Sequence, residues 1–507
     1  MKRIPAFILL SALCITSSAQ MRSRPLHLLD WQNPWLGSGN MAGLCENGFL
    51  QGQTDGVSEA ALGVDWNAGG WRNVFDPESS LEASVGVDSY LKLDKVYLYG
   101  RFGYGYEYDW GNTWRGSLHP YESPFMLADN VEGDISDETY SMQAGFGVPL
   151  GNFSIGASVK YDVGIMAKQR DLRNRNTDMS FYIAPSVTYK AGAVRLGLEA
   201  GYGKSDEKVE YTQIAANTEN YLYYLQGMWL YQKYGYSSAE TSRLNASNLA
   251  VASFQIDIDA AKWRIFNDFK VQYKRLEQTE TGYNNLRYGD VTSLLLGDAL
   301  SFQYSDRHRI SLSFSDRRFG ADRYLQQEEA DPRSGIRRYV NYGDPQRCWY
   351  KDVLSLGAEY AFHKEFDWDL SAGVRYDGSG LIYSKYPLSI SQDFRSVTPY
   401  AGLSKFFRLK NSRWELFCSF SYRAMLKSLR NCFEVVPGVT YESQDDLQLS
   451  APLESEADYF GTDCFGAGGG IGCEFWKMFL RLSCSYSSAP SLNLSRRGCA
   501  LAVGIAF

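Results

Sequence analysis

Histidine and cysteine, the residues best suited to metal, redox or nucleophilic chemistry, are few and scattered in this 507-residue chain. The four histidines are His27, His119, His308 and His363. None of the cysteines forms a Cys-Xaa-Xaa-Cys pair, so neither a zinc site nor a thioredoxin-like redox site is expected. His119 lies in a long polar stretch, but no Gly-Xaa-Ser-Xaa-Gly nucleophile motif accompanies it. The sequence therefore predicts no catalytic residue, no bound metal, no cofactor and no enzymatic activity.

Charged residues of both signs alternate with apolar residues in many segments, and they form a second group with chemical potential. Eight candidates for one common, inward-facing surface are Arg101, Lys160, Arg195, Glu199, Asp268, Lys270, Glu415 and Arg481. Such a mixed surface suits either a hydrated channel or a lumen that is cross-braced by salt bridges and filled by loops. Because the two signs offset each other, neither alternative predicts strong ion selectivity.

An aromatic run within one long polar stretch is a candidate interaction site. Its residues are Tyr221, Tyr223, Tyr224, Trp229 and Tyr231. Exposed apolar clusters of this size usually mark contacts with other molecules. The alternative is that these side chains pack on their own protein in the mouth of a barrel.

A glycine stripe, Gly466, Gly468, Gly470 and Gly472, would leave one strand without inward side chains. Glycine within a strand marks either close approach by other backbone or a bend in the sheet. The sequence leaves open whether a loop or the N-terminal arm packs there, or whether the sheet simply curves.

The elements that must position these residues are β-strands. From about residue 80 to Phe507, apolar residues recur at every second position, as in Phe153, Ile155, Ala157 and Val159. Strand pairs are joined by very short turns, whereas long polar stretches separate the pairs, for example 110–136, 204–247, 319–346 and 427–455. This asymmetry is typical of an all-β, transmembrane, antiparallel up-and-down barrel with short periplasmic turns and long extracellular loops. Counting turns predicts about 18 strands, with 14 or 16 as alternatives.

Aromatic residues near the turns, and an aromatic last residue, support the same fold. The residues near the turns are Tyr90, Phe153, Trp263, Trp368, Trp414, Phe475 and Trp476, which is where an interfacial girdle would lie. The C-terminal Phe507 closes an alternating strand. It resembles the signal by which bacterial outer-membrane proteins are delivered to the barrel assembly machinery.

Residues 1–19 have the features of a secretory signal peptide: a basic start, a short apolar run and small residues before Gln20. We divide the remaining chain into an N-terminal arm, 20–56, and a barrel, 57–507. Within the arm, Asn33-Pro34-Trp35-Leu36-Gly37 and Met41-Ala42-Gly43-Leu44 resemble the N-terminal arm of fatty-acid-transporter-type barrels. The alternative is a plain segment that leads into the first strand.

Composition excludes several other classes of protein. The formal net charge of −7, without a basic block, argues against nucleic-acid binding, and the mean hydropathy of −0.33 is too polar for a bundle of membrane helices. The chain resembles bacterial outer-membrane β-barrels of uncharacterised families. We expect a porin-like channel or facilitator for small solutes in a Gram-negative outer membrane, with membrane lipid and the assembly machinery as its partners. The alternative is a non-enzymatic accessory barrel whose extracellular loops dock a transporter or surface lipoprotein.

Overall fold

The architecture comes from a computed structural model of the chain. It describes residues 31, 33–46, 56–215, 219–235, 241–260, 262–281, 285–305, 307–330, 337–364, 367–385, 388–437 and 447–507. The predicted signal peptide and His27 lie outside these residues. Among the described residues, no helix is long and apolar enough to cross a membrane.

Eighteen antiparallel strands of the described chain close into one barrel, as the alternation predicts. Neighbouring strands in sequence pair in space, and the first strand pairs with the last, with Leu62 opposite Val503. The backbone N–H groups of Ser58 and Phe507 each donate a 2.8 Å hydrogen bond to the other residue's carbonyl oxygen, so the final residue takes part in closure.

The barrel strands are long, and several continue beyond the ends expected from sequence. Their bounds are β1 Gly56–Gly69, β2 Ser79–Leu93, β3 Val96–Asn112, β5 Gly133–Leu150, β6 Phe153–Lys168, β7 Arg173–Ala191, β8 Val194–Thr212, β11 Thr241–Ala260, β12 Trp263–Glu280, β13 Leu286–Tyr304, β14 His308–Ala330, β15 Arg337–Lys364, β16 Trp368–Lys385, β17 Leu388–Leu409, β18 Ser412–Val435, β20 Cys464–Phe475, β21 Met478–Ala489 and β22 Leu494–Ala506. The polar stretch 319–346 is therefore mainly strand. The described polar residues of this stretch lie on strand ends that have solvent on both faces, and not in a loop.

Outward-facing side chains form an apolar band with aromatic residues at both edges. The lower edge, near the short turns, includes Phe153, Trp263 and Trp368, and the upper edge includes Tyr202, Tyr273 and Tyr422, all more than a third exposed. Trp263 and Tyr273 are ten residues apart on β12. At about 3.4 Å per residue and a tilt of about 40°, the edges are separated by roughly 25 Å.

Tyr90 departs from this pattern. The sequence-based interpretation places it in the outer girdle, but it is buried inside the barrel, with its ring centroid 4.8 Å from that of Tyr99. Its outward neighbours on β2 are Leu91 and Leu93, which are exposed. Alternation therefore requires that Tyr90 point inward.

Loop segments fold inside the upper end of the barrel, which is the end opposite the short turns. Four short strands, β4 Leu127–Ala128, β9 Tyr221–Leu225, β10 Leu230–Gly235 and β19 Leu447–Gln448, form a separate small sheet. A helix, Ser450–Gly461, follows this sheet in sequence and is held by β18, because Arg423 donates hydrogen bonds to the carbonyl oxygens of Tyr459 and Thr462. We call this sheet, this helix and the segment 113–126 the loop layer.

The N-terminal arm occupies the turn end of the lumen. Its described part forms a short helix, Trp35–Ser38, and a 3-10 helix, Met41–Glu46. Glycines on neighbouring barrel strands make room for it. A Cβ at Gly147 would lie 2.6 Å from the Met41 carbonyl oxygen, and one at Gly197 would lie 2.6 Å from the Trp35 ring. The arm thus packs against β5 to β8, whereas inward Gly470 of the glycine stripe has Phe417 of β18 as its nearest ring.

Candidate functional site

Buried polar contacts attach the arm to the barrel wall. Trp35 is fully buried and its Nε1 donates a 2.7 Å hydrogen bond to Asp257. The Asn40 side chain donates a 3.0 Å hydrogen bond to Gln255, and the Ala42 backbone N–H donates one of 3.0 Å to Ser186. Each contact satisfies a polar group that would otherwise be buried without a partner, which makes the arm a specific, docked element of the lumen.

A chamber of about 1140 Å³ remains beside the arm. Its lining comes from the arm, from Tyr90 of β2, and from β12 to β18, β20 and β21, mostly within eight residues of the short turns. Three kinds of inward side chain line it: charged residues such as Glu415 and Arg481, serines, and aromatic rings such as Phe417. Its volume is slightly above the usual range for a small-molecule site. We take this chamber as the candidate functional site.

Three of the eight charged candidates, Asp268, Glu415 and Arg481, line the chamber. Arg481 lies 3.4 Å from Glu415, and its guanidinium stacks 4.3 Å from the ring centroid of Phe417. Asp268 accepts a 2.9 Å hydrogen bond from Gln255. Each of these three charges is thus held by another group of the protein.

Lys270 and Glu199 lie beside Asp268, at the border between chamber and arm. The Lys270 Nζ is 4.0 Å from Asp268 and donates a 3.4 Å hydrogen bond to the Ser38 carbonyl oxygen. Glu199 is buried, with the Tyr182 hydroxyl and Lys270 as its partners. This group connects the docked arm with the chamber wall.

The other three charged candidates lie away from the chamber. Arg195 bridges the arm and the wall, 3.0 Å from Glu46 and 3.1 Å from Asp257. Lys160 is 2.6 Å from Asp162, and the Nε of Arg101 is 3.9 Å from Asp88. The structure therefore distributes the eight candidates over several ion-pair groups.

The aromatic candidates lie in the loop layer. Tyr223 and Trp229 are buried, and their rings surround Trp114 with centroids 5.1 and 5.7 Å away. Tyr231 packs on Tyr223, and Tyr224 packs on the barrel residue Tyr288. Tyr221 is partly exposed and lies under the Lys233 ammonium group. These residues are in contact with one another and with the barrel.

A charged group attaches segment 113–126 to the wall. His119 Nε2 lies 3.5 Å from Asp178, and Glu122 accepts a 2.6 Å hydrogen bond from Lys274. Partial desolvation opposes protonation of His119, whose side chain is 41% exposed, but the hydrogen bond to Asp178 and the carboxylates of Glu122 and Glu207 raise its pKa to about 9. Burial would raise the pKa of Glu122, but Lys274 and protonated His119 lower it to about 2.

An acidic cluster on β3 and β5 contains Glu107, Asp109 and Asp137, whose nearest oxygens all lie within 4.8 Å of one another. The Arg115 guanidinium lies in the same cluster, 2.7 Å from Asp109 and 2.5 Å from Asp137. Arg115 thus supplies the positive charge there. The cluster attaches the start of segment 113–126 to the wall.

Sequence reasoning missed the arm residues and the chamber serines. Trp35 and Asn40 show no strand or helix periodicity, so nothing local indicates that they are buried. The serines alternate with outward apolar residues, as Ser311 and Ser313 do on either side of Leu312. That alternation indicates their inward direction, but only the arm's position reveals that they border free space.

Comparison with known protein families assigns the chain to one of them. A family of unknown function, DUF6850, matches residues 48–507. The chain belongs to this family. No curated protein matches this DUF6850 member. The resemblance of its arm to fatty-acid-transporter-type barrels finds no support in these matches.

Several solved structures are similar to this DUF6850 chain, at low identity. The copper transporter OprC is 9% identical, with 88% of this chain and 81% of that chain covered and a TM-score of 0.40. The siderophore receptor PiuA from Acinetobacter baumannii is 8% identical, with coverages of 90% and 82% and a TM-score of 0.39. The RagAB peptide transporter is 7% identical, with coverages of 86% and 72% and a TM-score of 0.40. Similarity this low establishes neither a shared function nor a shared ligand.

Proposed function

We propose that this DUF6850 barrel lies in the bacterial outer membrane with its short turns in the periplasm. The band of exposed apolar side chains, with aromatic residues at both edges, supports this placement. Its height of roughly 25 Å equals the apolar band of outer-membrane barrels. The loop layer would then face the cell exterior, and the arm would face the periplasm.

We further propose that the barrel is a gated channel or facilitator for small solutes. The single observation that carries this proposal is the 1140 Å³ chamber inside the barrel, whose lining combines charged residues, serines and aromatic rings. Because the loop layer and the arm both occupy the lumen, passage requires that one or both of them move.

Conductance across a planar bilayer tests this function. We expect the native protein to show small, infrequent openings, because the two elements obstruct the lumen. Gly147→Val should release the arm, since its side chain would meet the Met41 carbonyl oxygen and Cys45 Sγ. Deleting residues 219–235 should remove the central strands of the loop layer. The two changes together should give steady conductance that rises with salt and has weak ion selectivity.

Gly103→Val is the matched control, because the nearest atom to a Cβ at this inward glycine is 3.9 Å away. It should leave conductance at the native level. A folded double variant that stays non-conducting would overturn the channel proposal.

A second candidate function is docking of another envelope protein. Three apolar side chains of the described loop-end segments favour it, since Ile214, Tyr234 and Tyr342 are each more than half exposed. Replacing all three by serine should abolish co-purification of a partner without changing conductance. If no envelope protein co-purifies with the native chain, this candidate is wrong.

A further inference from the structure

Serine hydroxyls are the unusual feature of the chamber wall. Six inward serines line it: Ser301, Ser311, Ser313, Ser371, Ser404 and Ser419. They lie on β13, β14, β16, β17 and β18, and Ser301 is directly opposite Ser311. Among the described residues, none of these six hydroxyl groups has a hydrogen-bond partner from the protein. They therefore present free donors and acceptors to the chamber.

In the described chain, all but one of the charged side chains that line the chamber are engaged with another group of the protein. Asp369 lies 2.5 Å from His363, Glu359 accepts a 2.9 Å hydrogen bond from Tyr400, and Arg309 stacks on Trp31. Glu415 and Arg481 form the pair described above. Arg408, exposed near the turn at 410, is the one lining cation in the described chain without such a partner. A charged solute would have to compete with these pairs, whereas an uncharged one would not.

The signs of the lining charges also balance. The carboxylates are Asp268, Glu359, Asp369, Glu415 and Glu474, and the cations are Arg309, Arg408, Arg413 and Arg481, with Lys270 beside Asp268. Four cations and five carboxylates line the chamber, and Lys270 beside it makes the numbers of the two signs equal. A balanced wall gives no net attraction to an anion or to a cation.

Aromatic faces complete the lining. Phe266, Phe406, Phe417 and Phe479 come from four different strands, and Trp31 comes from the arm. A flat, apolar ring face next to free hydroxyl groups matches a molecule that carries C–H faces and hydroxyl groups together. Small-molecule sites combine apolar walls with a few polar groups in the same manner.

We infer that the chamber binds an uncharged, polyhydroxylated solute, that is, a small sugar or polyol. This inference rests on the proposed channel function and names its solute class. The free serine hydroxyls exchange hydrogen bonds with the solute's hydroxyl groups, and the rings contact its C–H faces. The offset charges discriminate against ionic solutes.

Saturation-transfer NMR on the purified, detergent-solubilised barrel tests this inference, because it detects weak ligands directly. The probes are raffinose and sorbitol, with glutamate, lysine and alanine at equal concentration as ionic and zwitterionic comparisons. We expect transfer to raffinose and sorbitol and little to the other three. Replacing Ser371 and Ser404 by valine should weaken raffinose binding about tenfold, because two hydrogen bonds are lost.

Ser158→Val is the control, since Ser158 is a buried inward serine on β6, outside the chamber lining. It should leave raffinose binding unchanged. Equal or stronger transfer to glutamate, lysine or alanine would overturn the solute class. This holds even if the variant that combines Gly147→Val with deletion of residues 219–235 conducts. Raffinose binding without conductance in any variant would instead overturn the channel function and leave the solute class standing.

Discussion

At the scale of single residues, Arg243 is the anchor that fixes the loop layer to the barrel. Its side chain is 1% exposed and pairs with Glu280. It also donates a 3.1 Å hydrogen bond to the Phe125 carbonyl oxygen and stacks 4.3 Å from the Tyr288 ring centroid. The guanidinium of Arg243 on β11 therefore connects β12, β13 and a loop segment.

Arg243→Met should destabilise the loop layer, because it leaves the buried Glu280 carboxylate without its cation. Loss of one partner of a buried pair costs about 3–5 kcal/mol. Limited proteolysis within residues 113–126 and the free energy of unfolding would measure the effect. Adding Glu280→Gln should recover much of the loss. If the double variant is no more stable than the single one, the pair does not have the predicted role.

His119 should make the attachment of segment 113–126 depend on pH. Its pKa is higher in the folded protein, about 9, than the value of about 6.5 expected for an unfolded chain. Protonation therefore favours the folded state, and the contribution is complete below about pH 6.5 and lost as the pH rises through about 9. Protease protection of this segment should fall over that interval. In the His119→Gln variant, protease protection should not change with pH over that interval. An equal pH dependence of protection in both proteins would refute the assignment.

At the scale of elements, the alternation of apolar residues was sufficient to predict the barrel strands. It was not sufficient to predict the arm and the small sheet that fold inside the barrel. Period-two patterns predicted closed strands, about 18 of them, because every lipid-facing position must be apolar in a wall one residue thick. The same rule, applied to Leu91 and Leu93, would have turned Tyr90 inward. The docked arm and the small sheet have no such constraint. They are surrounded by other loops and inward side chains, so their burial depends on tertiary contacts that no local pattern encodes.

The register of the last hairpin can be tested with its natural cysteines. Cys484 and Cys499 are directly opposite each other on β21 and β22, with their Sγ atoms 2.8 Å apart. A thiol oxidant applied to the purified protein should link them, with loss of two hydrogen atoms by mass spectrometry. Cys473 is the internal control, since it lies opposite Trp414 and Leu480 and should remain open to alkylation. If Cys484 and Cys499 stay alkylatable, the register is wrong.

At the scale of the whole molecule, the proposed membrane placement predicts how charge is tolerated. Leu482 faces outward within the apolar band and is 43% exposed. Leu482→Arg should lower the stability of the membrane-inserted barrel by about 2–4 kcal/mol, as expected for arginine near the membrane midplane. Ser311→Arg, which points into the chamber, should cost much less. Unfolding in lipid vesicles would measure both, and equal losses would contradict the placement.

Near the turns, the barrel wall has two different parts: one holds the arm against glycines, and the other lines the chamber. Strands β5 to β8 are shaped to hold backbone at close range, and any side chain at Gly147 or Gly197 would displace the arm. Near the turns, strands β13 to β18 mostly line the chamber, and Arg309 of β14 also stacks on Trp31 of the arm. In the history of this family, the two parts should therefore have changed at different rates and for different reasons. The residues of β5 to β8 that contact the arm can change only together with the arm. The residues that line the chamber can instead change with the solutes available to the cell.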